Sequence, residues 1–503
     1  MTSGARSPSP PPLLSPGGAV LALAAAVLLL WPMALVTPPL VYFDSFAYEQ
    51  AGEKALDALA GMLPSSAVAV GGEGAADGGE SGEGGLGTLR SAAWSVGLAV
   101  LGGLPWGAVA ACALQTAATL FVLGALVPPG AGLGGPAVLG AVGVGLLSGL
   151  PWYASYAMPD ILGALLLAYY AALAGPLDRA GPVSRIVLGL LACFAVLAHY
   201  GHVPLAAALA GLVLLLRARR LSAALVLGAL APLVAAVAIN VATGLAVERL
   251  SPAAGESDGA PGAEASFAPR RLPVLLARSI EDGVALPHLR EACTRNAYRS
   301  CAFLGDVPDN VDGFLWGAQG IHRLTAAEMA VLRAEETRIV LGAARADPLR
   351  QGTAFLRNAA LQFMRVGTDE LFPLAPPGPA GKRRLPVDAD ADAYPVLGWA
   401  DAWVPAFTFA ALALLVLRLV TGRLHPALVL PAALVFVGLV LNAAIYGGLS
   451  YPVDRYGGRL AWLLPALLAI DLSTRDLSMN SGAIRFHGRS GSAKKAARHG
   501  DLI

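Results

Sequence analysis

Three short polar stretches, each at the edge of a long apolar run, hold most of the residues in this sequence that could do chemistry. The first is Val41-Tyr42-Phe43-Asp44-Ser45-Phe46-Ala47-Tyr48, which follows the first apolar run. A carboxylate at the mouth of a membrane helix is wet on one side and packed on the other, so its proton affinity can be tuned. Asp44 could take a proton from a hydroxyl as that oxygen attacks an electrophilic carbon. Capping or interface packing is the structural alternative. Tyr48 falls one helical turn later, while Glu49 and Glu53 suit the wet face of a surface helix. The second stretch is Met158-Pro159-Asp160. Proline opens a helix here, and Asp160 is expected in its first turn, near the positive end of the helix dipole. It would then be a second carboxylate, shaping a site or binding a divalent metal. The third is Asp454-Arg455-Tyr456-Gly457-Gly458-Arg459, with two arginines one turn apart. Guanidinium forks bind phosphate oxygens in pairs; an Asp454–Arg455 structural pair is the alternative.

Two weaker candidates accompany these. His199 and His202 share one side if helical; they fall short of the ligands a tetrahedral zinc site needs, but could donate to a lipid phosphate or simply pack at an interface. Arg90 is a lesser phosphate candidate. No Walker A, dinucleotide-binding glycine, His-Glu-x-x-His or EF-hand pattern stands out.

The elements that must position these residues are membrane helices. Of 503 residues, 56% are hydrophobic and only 14% charged, whereas soluble chains carry about a quarter charged residues. Nucleic-acid binding has no support, because the only basic stretch is a short tail. Residues 1–16 are Ser/Pro-rich and expected to be disordered. Residues 17–36 form an apolar run of about the 20 residues a bilayer crossing takes; no small-x-small site ends it, so it reads as an uncleaved first helix. Further runs near 105–127, 133–151, 159–176, 184–200, 203–217, 221–245, 398–419, 426–447 and 457–472 bring the expected count to about ten spans. Seven precede an insertion at 248–397 and three follow it, in 398–472. The first external loop, 41–104, holds surface helices and a Gly/acidic linker at 71–87.

With the N-terminus inside, the Arg217–Arg220 cluster, Arg179, Arg418, Arg423 and the basic tail 473–503 all fall on the cytoplasmic side, as the positive-inside rule requires. Both termini are then cytoplasmic, in a plasma (inner) membrane. Asp44, Asp160, the two histidines, segment 248–397, Arg455 and Arg459 all go outside. Nearly every chemically capable group thus shares one face. The insertion, which opens with a flexible 251–266 linker, is expected to be mostly helical: Thr325 to Glu328 has capping-box form, and Asp347-Pro348 reads as a cap and first-turn proline. Residues 372–395 read as Pro-rich loop. In an external, oxidising space, Cys293 and Cys301 are expected to pair.

An acid after helix 1, followed by Arg90-Ser91-Ala92-Ala93-Trp94 before helix 2, resembles the GT-C superfamily of multi-spanning glycosyltransferases that use lipid-linked sugars. The resemblance covers the membrane layout and the first-loop acid, Asp44. It does not cover 248–397, whose place after helix 7 departs from the C-terminal soluble domain of many members. It implies an all-α polytopic fold and transfer of a sugar from a polyprenyl-phosphate donor to an envelope glycan or lipid acceptor. Asp44 would be the base, Asp160 a second carboxylate, and Arg455 and Arg459 the phosphate clamp, with Tyr48, Arg90, His199 and His202 as further binding residues. The resemblance assigns no definite cofactor, a divalent metal being an option. The rival readings are a transporter or lipid flippase, which needs polar groups at mid-membrane depth, and a non-catalytic subunit of an envelope polymer assembly complex. Within the spans the polar residues are few: Gln115, Asn240 and Asn442.

Overall fold

A computed structural model describes residues 16–36, 39–62, 91–128, 135–175, 177, 180–250, 272–374 and 394–474. The linkers at 71–87 and 251–266, Arg90, Arg179, most of 375–395 and the basic tail lie outside the described residues. The described residues are mostly helical. In order it forms α1 (Pro16–Leu29), α2 (Pro32–Leu35), β1 (Leu40–Val41), α3 (Phe43–Met62), α4 (Ala92–Val100), α5 (Trp106–Leu126), α6 (Gly135–Leu147), α7 (Leu150–Ala154), α8 (Ile161–Ala174), α9 (Pro182–Ala198), α10 (His202–Leu216) and α11 (Ala223–Leu250). The inserted segment contributes α12 (Val274–Glu281), α13 (Ala285–Thr294), α14 (Val311–Trp316), α15 (Ala326–Ala346) and α16 (Pro348–Met364), then β2 (Phe372–Pro373). The chain closes with α17 (Pro395–Val420), α18 (Pro426–Ala443), α19 (Asp454–Ala461) and α20 (Leu463–Ser473).

Every apolar run is helical, but not every run is one uninterrupted span. Four helical stretches among the described residues are long and apolar enough to cross a membrane: Trp106–Leu126, Ala223–Thr243, Pro395–Val420 and Pro426–Gly448. Stretches within α6, α8, α9 and α10 are equally apolar but shorter. The expected single helix over 17–36 breaks after Leu29, and Pro32, which cannot donate a backbone hydrogen bond, restarts the chain as α2. The last run begins earlier than expected, at Asp454, and is interrupted at Trp462.

The bundle is organised around α8. All its residues are buried, as befits a helix that is apolar on every side. Helices α5, α9, α10, α18 and α19 surround it. The hydroxyls of Tyr169 and Tyr170 donate to the carbonyls of Gly228 and Ala229 on α11, at 2.7 and 3.0 Å. The outer surface is apolar too: Val183 and Ile186 of α9, Leu227 and Val234 of α11 and Val420 of α17 are all exposed. So much exposed aliphatic surface is unfavourable in water and suits hydrocarbon.

Helices α12–α15 pack around a separate core that includes Leu276, Ile280, Phe314, Leu332 and Ile339. The expected caps are present: Thr325 and Glu328 cap each other's backbone groups, and the Asp347 carboxylate accepts from the Arg350 amide. Cys293 and Cys301 are joined in a disulfide that closes a local turn.

Helix α16 ties this segment to the bundle. Asn358 donates to buried Asp282 at 2.8 Å. The Gln362 side-chain amide donates to the Val453 carbonyl and accepts from the Val453 amide, both at 2.9 Å. So close a fit needs glycine on the bundle side. A side chain at Gly457 would strike the Arg365 carbonyl, and one at Gly447 would strike Gln362. The chain leaving α16 then runs across the top of the bundle. Gly367 donates to Asp454 and Thr368 to Asp401, and β2 pairs antiparallel with β1. Residues 372–373, expected as loop, are therefore paired backbone. A two-residue pairing has no alternation to read in sequence.

Candidate functional site

The β1–β2 pair fixes where the first polar stretch begins. Tyr42 donates its amide to the Ser45 hydroxyl, which turns the chain into α3 and places Asp44 in the first turn. From the other end of the chain, α19 starts at Asp454 and presents Arg455 and Arg459 one turn apart. The two ends meet. Arg455 Nη1 lies 3.8 Å from the Asp44 carboxylate, which keeps 18% side-chain exposure against 6% for the arginine. That spacing is an ion pair but longer than a hydrogen bond.

Asp160 completes the group from below. It stands at the N-cap of α8 rather than inside the first turn, and its side chain caps no backbone amide. Instead its Oδ1 lies 3.2 Å from Arg459 Nη1 and 3.7 Å from Arg455 Nε. Two arginines compete with the dipole for this carboxylate, and full charges outweigh the half-charge of a helix end. Asp454 does not pair with its neighbour Arg455; it accepts from the Gly367 amide and faces Arg365.

Aromatic rings hold both guanidinium groups. Arg455 is 4.1 Å from the Tyr42 ring centroid and 5.1 Å from that of Tyr456, while Arg459 is 4.2 Å from Tyr446. Such rings favour a cation over their faces and keep it flat. Several buried polar atoms still have no well-aligned partner among the described residues: Arg455 Nε and Nη1, Arg459 Nε and Asp160 Oδ2. Each buried, unsatisfied group costs about 1–3 kcal/mol; the three arginine nitrogens could each donate a further hydrogen bond and the Asp160 oxygen could accept one.

Other expected residues fall differently. His202 is fully buried, its Nδ1 2.7 Å from the Ala195 carbonyl and its Nε2 against Gly163, where any side chain would collide with it. It is thus a packed helix-start residue and not open to a phosphate. His199 accepts from the Gly201 amide and meets the Tyr446 hydroxyl at 3.4 Å, and the Tyr446 ring in turn lies under Arg459. Tyr48 is buried in the bundle core. Arg90 lies outside the described residues. Among the described residues, no three His, Cys, Asp or Glu side chains gather at metal-binding spacing.

Sequence reasoning missed Glu370 and Asp369, on the chain between α16 and β2. Burial pushes the Glu370 carboxyl up to about 7, against partial relief from Arg455. Asp369 is raised to about 6 by burial and by the nearby Asp454 and Asp401. Nothing in the local pattern marks them; the course of the chain into β2 brings Glu370 to Arg455 and Asp369 to Asp454 and Asp401. A carboxyl raised by burial favours the folded state while protonated. The Glu370 contribution is thus complete below its ordinary value of 4.5 and is lost as pH rises through about 7. Glu370→Gln is expected to flatten that slope in thermal unfolding across this window, and to stabilise the protein above it by at most about 3 kcal/mol.

Comparison of the chain with protein-family models, with curated proteins and with solved structures found no match.

Proposed function

We propose that this chain is a membrane glycosyltransferase of GT-C type, with about ten spans, that moves a sugar from a polyprenyl-phosphate donor to a glycan or lipid acceptor at the external face. The observation that carries the reading is the pair of buried guanidinium groups whose N–H donors lack a well-aligned partner among the described residues, with Arg455 standing 3.8 Å from the more exposed Asp44 carboxylate. In the proposed step Asp44 takes the proton of the acceptor hydroxyl as its oxygen bonds to the anomeric carbon. The bond from that carbon to the phosphate oxygen breaks, and the polyprenyl phosphate departs as an anion. Arg455, backed by Arg459, stabilises the charge developing on the phosphate. Positioning base and clamp together supplies the rest of the advantage. Asp160 keeps the two arginines oriented and is a positioning residue.

The test is sugar transfer by purified protein in lipid nanodiscs, using polyprenyl-phosphoryl sugars and release of the polyprenyl phosphate as readout. Arg455→Lys retains a charge but loses the planar fork. It is expected to raise the Kd for the donor roughly tenfold or more, about 1.4 kcal/mol per decade. Donor binding unchanged in Arg455→Lys would refute the clamp. Absence of both donor binding and transfer in the native protein would favour a non-catalytic subunit.

A further inference from the structure

Helix α16 lies in the segment expected to be wholly outside the membrane, yet its free face carries a row of large apolar side chains beside Thr353 and Arg357. Leu349, Leu356 and Met364 are 81%, 67% and 59% exposed, and their i, i+7, i+15 spacing aligns them on one side of the helix. The opposite side, Ala354, Asn358 and Gln362, is buried against the bundle and its neighbours. One exposed leucine needs no explanation, but a row of such residues along a helix marks a surface that is covered by something.

The structure indicates what covers it. The C-terminal half of α16 runs antiparallel beside the outer half of α18 and the helical turn Ala444–Gly448 that continues it: Phe355 meets Gly448, Gln362 meets Gly447, and the Phe363 ring lies 5.9 Å from that of Phe436. Phe436 is itself 42% exposed, within the stretch Pro426–Gly448 that is long and apolar enough to cross a membrane. The row on α16 is therefore continuous with an apolar surface already suited to hydrocarbon. Arg357, exposed on the same helix, can lay its stem along such a surface and lift its guanidinium to the headgroups.

We infer that the outward face of α16 is embedded in the outer leaflet of the bilayer, and that its partner is phospholipid. The helix then acts as a depth gauge. The chain that leaves it, with Glu370 over Arg455, is set at headgroup level together with the site it lines. This placement does not depend on the transfer chemistry and can be tested in inactive protein.

The experiment uses the full chain in nanodiscs of phosphatidylcholine and phosphatidylglycerol, with Cys112 and Cys193 replaced by serine. Nitroxide labels are attached at Leu356→Cys and at Met364→Cys, with exposed Asp306→Cys as the aqueous reference. Collision with oxygen, which partitions into hydrocarbon, is compared with collision with a water-soluble nickel chelate. The oxygen-to-nickel ratio at 356 and 364 is expected to exceed that at 306 several-fold. A ratio equal to that at 306 at both positions would overturn the inference. Exclusion of both reagents at both positions would overturn it too, because a protein partner or a second copy would then be the cover.

Discussion

Asp44→Asn is expected to lower sugar transfer by about 10²–10⁴-fold, the range that general-base catalysis contributes, while donor binding and folding persist. The amide keeps the shape of the carboxylate but cannot accept the proton. It also cancels the negative partner 3.8 Å from Arg455, which leaves that guanidinium freer to hold a phosphate. Donor affinity in the variant should therefore be equal or higher while turnover collapses. That split between binding and turnover separates a base from a merely structural ion pair, whose loss would disturb both together. Unchanged turnover in Asp44→Asn would exclude the mechanism.

The largest expected effect on stability belongs to Asp160→Asn. Asp160 is 1% exposed and Arg459 wholly buried. The carboxylate faces two guanidinium groups, at 3.2 and 3.7 Å. Removing it leaves Arg459 with the Asn442 amide oxygen and aromatic faces, and Arg455 with Asp44 at 3.8 Å and Glu370, so that two buried cations share less negative charge. Breaking a buried pair from one side costs about 3–5 kcal/mol. Thermal unfolding of the variant should show a loss of that order. Arg459→Gln should cost less, since Asp160 then keeps Arg455. The double variant should be less damaged than the sum of the two, as expected for residues in one network. A cost for Asp160→Asn below about 1 kcal/mol would mean that water already screens the group, and the low-dielectric clamp would be lost with it.

How much of this was legible in the sequence differs from residue to residue. Apolar length and composition determined the helical, membrane-suited architecture, because a run such as 426–447 has no other stable fate in or out of a bilayer. Local chemistry determined the caps at Thr325 and Asp347, which depend on residues three positions apart. The disulfide was legible because Cys293 and Cys301 sit eight residues apart in a segment expected to face an oxidising space. The positive-inside rule led to the expectation that Asp44, Asp160, Arg455 and Arg459 share one face; it could not bring Arg455 within 4 Å of Asp44 and Asp160. Only the packing of α19 against α8, and the docking of the chain after α16 beneath β1, decided that Arg455 would share Asp44 and Asp160 and not pair with Asp454. The same packing closed His202 against Gly163 and brought Glu370 to Arg455. Hydropathy reports the free energy of one segment against its solvent and is blind to which segments meet. That choice is made by side-chain fit and buried charge, and both exist only once the helices are assembled.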